Sequence, residues 1–552
     1  MSKWKISCCV LLVLGVLVIA VTLIVILPLP KCAHGTYLHA AVAADTEICS
    51  DIGRDILQSK GSAVDAAIAA LICTSVFNPQ SMGLGGGVIF TIYNATTGKV
   101  VVINARETAP ENIRQDLLNQ CTGFLQTGSQ WIAVPGELRG YEEVHRRYGR
   151  LPWKSLFEPT IKLLTAGIRI PKVLSKFLSH KLLNKSLKHS SLCKLFCKND
   201  GVLNEGETFY WPALLNTLKA VAEKGAREFY EGKIAQDLVK DIRNENGSLT
   251  LSDLKNFQAK VMTPLNISLS GYTMYSPPPP SGGAILLFIL NILKGFKFTP
   301  ESMESTNGMI ETYHRIAEAL KFGNGQKSKH IEQVEIQTLL SNSFAEHVRK
   351  RIDDRGDHPA SFYNLSQPGI PGHGTSHVSI LAEDGSAVSV TSTINQPFGS
   401  MVYSPSTGII LNNELADFCK KKPGSMIAGG ERPPSAMAPS ILISKDGNSI
   451  LVIGGAGGDL IISATALAIM NKLWFGYDLK RAINMPILHA SMNNSIQFET
   501  HFDEAVKMGL LNRGHHEQTT TFFLNVVQGI SKEGSCIFAY SDQRKKGKSS
   551  GY

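Results

Sequence analysis

The sequence predicts a mixed α+β domain held outside the cytosol by one N-terminal transmembrane helix. Three observations carry this: a long uncharged run near the start, helical and strand-like segments in alternation, and a hairpin followed by a strand–glycine-loop–helix unit in the last third. With 43% hydrophobic and 18% charged residues, and 25 Pro and 49 Gly scattered along 552 residues, the chain can fill a large core. It lacks the bias of a disordered, collagenous or coiled-coil protein.

Residues 1–5, with Lys3 and Lys5, form a short tail expected to be cytoplasmic. Ile6 to Leu29 is apolar, and Cys8 to Leu27 supplies 20 residues without a charge, enough to cross a ~30 Å hydrocarbon core as a helix. A secretory signal has a shorter apolar region of ~7–15 residues and a small-residue cleavage site. This run closes instead on Pro28-Leu29-Pro30-Lys31. Two lysines before the run and one after it favour an inside N-terminus, hence a single-pass type II anchor in the plasma membrane with the rest extracellular.

Six sequons fit that location: Asn94, Asn184, Asn246, Asn266, Asn364 and Asn493. Eight cysteines follow the anchor without zinc-ligand spacing, so disulfides are expected, with connectivity open. His515-His516-Glu517 reads as a surface loop, and no metal site is expected. The net charge of +9 includes the tail Gln543–Lys548 and reads as solvated surface. No basic stripe is interleaved with aromatics, which argues against a nucleic-acid partner.

Asp65 to Val76 reads as an Ala-rich helix and Gly87 to Tyr93 as a strand, while Trp211–Lys224 and Met309–Phe322 have helical periodicity. Pro277 to Pro280 suit neither a helix nor a sheet interior and form an extended wall before the apolar stretch Ala284–Leu293. Thr375–Ala382 and Ala387–Asn395 alternate strictly about Asp384-Gly385, the pattern of a two-residue hairpin. In that register paired residue numbers sum to 769, so Thr375 faces Ile394, between Thr393 and Asn395. Ser449–Ile453, the loop Gly454–Asp459 and the helix Leu460–Trp474 then present bare N–H groups to an anion. The Gly-x-Gly-x-x-Gly spacing fails here and at Gly83–Val88, which favours an oxyanion hole over a dinucleotide site.

Several ordered motifs resemble the gamma-glutamyltransferase (glutathione hydrolase) family from about Ala40 to Tyr552: Asn78–Gly87, Asn104–Glu107, Gly374–His377, Ser392–Asn395, Asn412–Glu414 and Gly454–Gly458. Tyr403-Ser404-Pro405 with Gly408–Glu414 looks most like its leukotriene-cleaving branch. The resemblance implies an N-terminal nucleophile hydrolase, an αββα sandwich made as one precursor. That precursor would cut itself between Gly374 and Thr375 into a large chain, 30–374 beyond the anchor, and a small chain, 375–552, which remain together as a heterodimer. Thr375 would be the nucleophile and its freed α-amine the base, with a reference pKa of ~7.7–8 suited to neutral pH. His377 is expected to be structural.

By the same resemblance Thr393 orients the nucleophile, and Gly457 and Gly458 donate to the oxyanion. Arg106 would grip the substrate α-carboxylate with Ser435, and Asn395, Glu414 and Asp417 would hold its α-ammonium. Without the family in view, Arg106 would read as a local ion pair with Glu107. Cys49 with Cys73 and Cys193 with Cys197 match the family's disulfides, leaving Cys32, Cys121, Cys419 and Cys536 unassigned. Ala436 departs from the family's second serine, and one lost hydrogen bond to a charged group is worth ~1.5–3 kcal/mol.

The implied substrates are glutathione, its S-conjugates and leukotriene C4, with water, amino acids or dipeptides as acceptors and no cofactor. The alternative is an impaired or uncut member serving as a membrane-anchored binding or scaffold protein, a reading that only Ala436 favours.

Overall fold

A computed structural model describes residues 32, 35–121, 125–199, 201–327, 333–365, 374–421, 425–519 and 526–552. The expected tail and anchor, residues 1–29, lie outside them. Among the described residues no helix is long and apolar enough to cross a membrane.

In chain order the principal strands are β1 (Ala41–Ala44), β2 (Gly87–Asn94), β3 (Lys99–Ala105), β4 (Lys260–Met262), β5 (Leu265–Leu269), β6 (Tyr272–Ser276), β7 (Ser376–Leu381), β8 (Ala387–Thr393), β9 (Ser440–Ser444), β10 (Ser449–Ala456), β11 (Val526–Glu533), β12 (Cys536–Ser541) and β13 (Lys548–Gly551). They form two antiparallel sheets, one in the order β13-β1-β7-β8-β2-β3-β4 and the other β12-β11-β10-β9-β6-β5.

Period-two alternation sorts each strand between two environments. On β1, β7 and β8 the residues Val42, Val378, Ile380, Val388 and Val390 face helices α1 (Glu47–Gln58), α2 (Ala63–Phe77) and α3 (Glu137–Tyr148). On β10, Leu451 and Ile453 face α4 (Gly283–Leu293), α5 (Thr306–Lys327) and α6 (Leu460–Leu473). Ala41, Ala43, Leu381, Ile441, Ile450 and Val452 meet between the sheets. The layers are therefore helix, sheet, sheet, helix, as the resemblance implied. The expected helices and strands appear with ends shifted by a few residues, and the Ala-rich α2 is closed at its start by a Ser62–Asp65 capping box.

The β7–β8 hairpin corrects the expected register. Ser376 pairs with Ser392 and Leu381 with Ala387, so partner numbers sum to 768. The loop has three residues, because the Ala382 N–H bonds to Ser386 O and Gly385 takes the left-handed φ of 83°. One residue of slip moves every pairing; Thr375 now lies opposite Thr393 rather than Ile394.

Two further expectations hold only in part. His515-His516-Glu517 is a loop exposed at His516 and Glu517, but His515 turns inward: it is 2% exposed and hydrogen-bonded at 2.8 Å to His314 Nδ1 and at 3.1 Å to Lys321 Nζ. The basic tail is only partly solvated, since Arg544 pairs with Glu499 and Lys545 is buried against Asp45. Among the described residues four disulfides form: Cys49–Cys73 and Cys193–Cys197 as the resemblance implied, and Cys32–Cys536 and Cys121–Cys419 from the unassigned set. Of the sequons, Asn246, Asn266, Asn364 and Asn493 are exposed, whereas Asn94 and Asn184 are partly buried and the Asn184 amide donates to Leu178 O.

Candidate active site

The open end of the β7–β8 hairpin carries the candidate nucleophile. Thr375 and Thr393 continue the inter-sheet face of their strands, and their hydroxyl oxygens lie 3.2 Å apart. Thr393 Oγ1 donates to the Gly374 carbonyl at 2.8 Å and accepts from the Asn395 N–H at 2.8 Å. Thr375 Oγ1 closes on the same Gly374 carbonyl, and the Gly374 N–H donates to Asn395 O at 2.8 Å. The Thr375 hydroxyl, the Gly374 peptide and a donor to that peptide's oxygen thus share one corner.

Two glycine runs make this corner possible. A Cβ on Gly86 would stand 2.0 Å from Thr393 O, so the Gly83–Gly87 cluster lets β8 end against its neighbour. Beyond β10, Gly457 and Gly458 lie at φ 118° and 62°, conformations open to glycine, and Gly458 borders the recess that holds Thr375.

The charged side of the recess centres on Arg106, which is 1% exposed. Its Nη1 meets Glu414 Oε2 at 2.6 Å and Glu107 Oε2 at 3.6 Å, and its Nη2 meets Asp417 Oδ2 at 2.6 Å. Nε and Nη2 also donate to the carbonyls of Pro433 and Pro434. Glu414 and Asp417 reach it from one 3-10 helix, Glu414–Lys420, so the expected shared face exists. The reading of Arg106 as a partner of Glu107 holds only as the longest of three contacts.

One guanidinium does not satisfy three buried carboxylates. Burial, opposed by Arg106, pushes Glu107 up to about 8 and Glu414 well above the carboxylate range. Burial also opposes the Arg106 charge, but Glu414, Glu107 and Asp417 outweigh it and hold its pKa up. Arg106 and Lys420, the latter 3.1 Å from Asp417, thus face three carboxyl groups, two of which burial drives toward the neutral form. A ligand cation can join the carboxyl groups, and a ligand carboxylate can meet the guanidinium after exchange of its present partners. Ser435 borders the same recess, its Oγ accepting from the Met437 N–H at 3.2 Å, and so does Asn395, whose side chain donates to Asn413 O at 3.2 Å.

Three nearby residues escaped sequence reasoning. Lys545 Nζ donates to the Thr375 carbonyl at 2.5 Å and pairs with Asp45 at 2.9 Å, tying the backbone of the candidate nucleophile to segments far before and after it. Lys420 Nζ lies 3.1 Å from Asp417 and 3.5 Å from Asp459, at the rim of the recess. The spacing of Lys420 from Asp417, one helical turn, and the place of Asp459 directly after Gly458 were signals; Lys545 meets the site through tertiary packing. His377 is neutral and structural: burial pushes it down to about 3, and its ring bonds to Thr391 and Ser379 between the sheets.

The recess itself holds about 20 Å³. Across Lys420, Ser435, Ala436 and Asp459 it adjoins a cavity of about 580 Å³. Met262, Pro279, Pro280, Ile285 and Ile462 give that cavity an apolar wall, while Lys260, Lys327, Lys420, Lys421 and Arg432 outnumber Glu431 and Asp459 around it. A separate groove of about 910 Å³, beside Lys181, Lys185 and Ser400, shares no residue with the recess.

Comparison with known proteins bears on the whole chain. The model of the gamma-glutamyltranspeptidase family matches residues 49–552. The chain is 54% identical to glutathione hydrolase 5 proenzyme of Rattus norvegicus over 99% of its own length and 98% of that protein's. It is 53% identical to the Homo sapiens glutathione hydrolase 5 proenzyme over 94% of each. Among solved structures, cephalosporin acylase from Bacillus halodurans superposes with a TM-score of 0.83 at 23% identity, covering 95% of this chain and 98% of that one, a likeness of fold.

Proposed function

Because this chain belongs to the gamma-glutamyltranspeptidase family, we propose that it is a self-processing γ-glutamyl hydrolase and transferase acting on glutathione and its S-conjugates, leukotriene C4 among them. The observation that carries the reading is the corner where Thr375, Thr393 and the Gly374 carbonyl meet beside the Arg106 carboxylate cluster.

Maturation starts when Thr375 Oγ adds to the Gly374 carbonyl carbon while the Thr393 hydroxyl donates to the carbonyl oxygen, where charge collects. The Gly374–Thr375 C–N bond breaks, the nitrogen takes the hydroxyl's proton, and water hydrolyses the resulting ester. Residues 1–374 and 375–552 result, and Thr375 gains a free α-amine.

In turnover that amine takes the Oγ proton, with a reference pKa of ~7.7–8. Oγ adds to the γ-carbonyl of the substrate, and the backbone N–H groups of Gly457 and Gly458 receive the oxyanion. The amine then protonates the leaving nitrogen, which departs with the rest of the donor and leaves a γ-glutamyl ester on Thr375. Water resolves the ester to glutamate; an amino acid or dipeptide amine resolves it to a new γ-glutamyl amide.

Arg106 and Ser435 receive the glutamyl α-carboxylate, while Asn395, Glu414 and Asp417 receive its α-ammonium. The cavity beyond Ala436 favours an S-conjugate, since its wall accommodates an apolar substituent and its cations suit the leaving group's carboxylates. Residues 6–29 would anchor the enzyme in the plasma membrane with this site outside. The pairing of all eight described cysteines is consistent with an oxidising compartment.

N-terminal sequencing of the smaller fragment should read Thr-Ser-His-Val; another start in active material overturns the mechanism. Initial rates on glutathione and leukotriene C4, measured side by side, should favour the conjugate in kcat/KM. Equal values would remove the cavity from the reading.

A further inference from the structure

The four disulfides divide sharply once the cut at Gly374–Thr375 is considered. Cys49–Cys73 and Cys193–Cys197 lie wholly in residues 1–374. Cys32–Cys536 and Cys121–Cys419, with sequence separations of 504 and 298, cross the cut.

The crossing bridges occupy different places. Cys32–Cys536 lies by the Tyr37–Ile537 backbone pairing, where β1 has passed Leu381 at the turn end of the hairpin, away from Thr375. Cys419 belongs to the 3-10 helix Glu414–Lys420, two residues after Asp417 and one before Lys420. Cys121 follows the 3-10 helix Leu117–Gln120 on the other side of the cut. Around this bridge, Ala109, Ile113, Leu117 and Trp131 pack against Leu415 and Phe418 in a small apolar cluster of its own. Arg106 also lies before the cut, whereas its partners Glu414 and Asp417 lie after it. The geometry of the charge cluster therefore depends on how two separate chains register.

We propose that the mature protein is one covalent unit, its two cleavage products joined by Cys32–Cys536 and Cys121–Cys419. Within it, Cys121 and Cys419 are positioning residues that hold the Glu414–Lys420 helix against the Arg106 side of the site. The inference rests on the proposed cut but fails separately from it. A tether makes reassociation of the halves intramolecular, so dilution does not separate them. It also adds a covalent restraint to a short helix otherwise held by a small apolar cluster and by ion pairs to Arg106 and Asp459. Reduction by dithiothreitol would give each bridge two electrons and two protons, releasing two thiols while the reagent closes to its cyclic disulfide.

Denaturing electrophoresis of the purified full chain tests the tether. Without reductant one full-length band is expected, and with dithiothreitol two. Two bands without reductant overturn the covalent unit. A single band in both lanes overturns the cut instead, and peptide mapping by mass spectrometry without reductant then decides the bridges. Linked Cys121 and Cys419 peptides, and linked Cys32 and Cys536 peptides, support the pairs; free or otherwise paired thiols refute them.

Steady-state kinetics test the positioning role. Cys121→Ser, Cys419→Ser and the double variant should each raise KM for glutathione about tenfold with kcat within about threefold, the double no worse than either single. Cys32→Ser with Cys536→Ser should leave both constants at the wild-type value. Should the first set fail to fold, mild dithiothreitol treatment of the wild-type enzyme reads the same split. A fall in kcat with KM unchanged, or additive single effects, overturns the role.

Discussion

Around Thr375 about 20 Å³ is open, and the surrounding groups are engaged with one another: Thr393 with Gly374, Arg106 with three carboxylates and two carbonyls, Lys545 with Asp45 and the Thr375 carbonyl. On the far side of Ala436 the cavity offers about 580 Å³, with an apolar wall and cations such as Arg432 that donate to main-chain oxygens. The first region has its donors and charges in place before substrate arrives, which is what bond-breaking needs. The second has space and, with Lys420 paired to Asp459 and Lys421 to Glu431, still more cations than carboxylates, which would suit a variable leaving group. Under the proposed function, reaction and selectivity would occupy separate walls of one site, meeting at Lys420, Ser435, Ala436 and Asp459.

The sharpest test of the engaged side is Thr375→Ala. It should give one uncut chain and lower γ-glutamyl release at least ~10³-fold, since no neighbouring hydroxyl occupies the same corner with a prospective amine beside it. Reducing denaturing electrophoresis and a γ-glutamyl anilide assay check it. Wild-type turnover in the variant would place the nucleophile elsewhere.

Next in size is Ala436→Ser, on the boundary. A restored hydroxyl would add a hydrogen bond to the substrate carboxylate worth about 1.5–3 kcal/mol, roughly a tenfold to hundredfold fall in donor KM. The fall should be common to glutathione and its conjugates, because both present the same glutamyl head. A change confined to conjugates would move Ala436 to the cavity side.

Lys327→Met probes the open side and should act more weakly. It should cost about threefold to tenfold in kcat/KM, or about 0.7–1.4 kcal/mol, on an S-conjugate whose substituent carries a carboxylate. Glutathione and S-hexylglutathione should change less than twofold. A uniform loss across all three would mean that cavity and recess do not divide the work.

Much of this architecture was legible because it is local. The alternation of Thr375–Ala382 and Ala387–Asn395, the Ala-rich helix and the glycine loop before Leu460 all declare themselves within a few residues. The hairpin register was misread at a single turn: Asp384-Gly385 suggested a two-residue loop, but Gly385 closes a three-residue one, and Thr375 thereby gains Thr393 as its partner. Lys545 looked like solvated tail, and its burial depends on Asp45, 500 residues away. The burial of His515 within its loop was hidden because the Lys321 and His314 that enclose it come from a helix 194 and 201 residues earlier. The glycine cluster at Gly83–Gly87 lacks a dinucleotide spacing, and its use, the approach of Gly86 to Thr393 O, appears only when the sheet is assembled. The Arg106 cluster is the same kind of case: the motifs named its members, while their mutual ion pairs join segments 311 residues apart.

The smallest effect on turnover belongs behind the recess. His377 fills the space between the sheets beside Gly454, and burial lowers its pKa from 6.5 to about 3. An unfolded chain takes up a proton there below pH ~6.5, whereas the folded chain does so only near 3. The folded form thus gains stability from neutral His377 that is fully present above pH ~6.5 and is lost as pH falls toward 3. Glu107 and Glu137, raised to about 8, have the opposite dependence, favouring the fold below about 4.5 and losing that contribution as pH rises through 8. The slope of the wild type alone is therefore ambiguous, and the informative quantity is its difference from His377→Gln. That variant should be less stable at pH 7.5, with turnover within about twofold, because His377 touches no reacting atom. The stability gap should narrow by about 1.4 kcal/mol for each pH unit below ~6. Denaturant midpoints at pH 7.5, 6, 5 and 4 measure it. A gap that stays constant over that range would mean that His377 carries its proton inside the folded sheet layer, and the neutral floor beneath Thr375 would have to be abandoned.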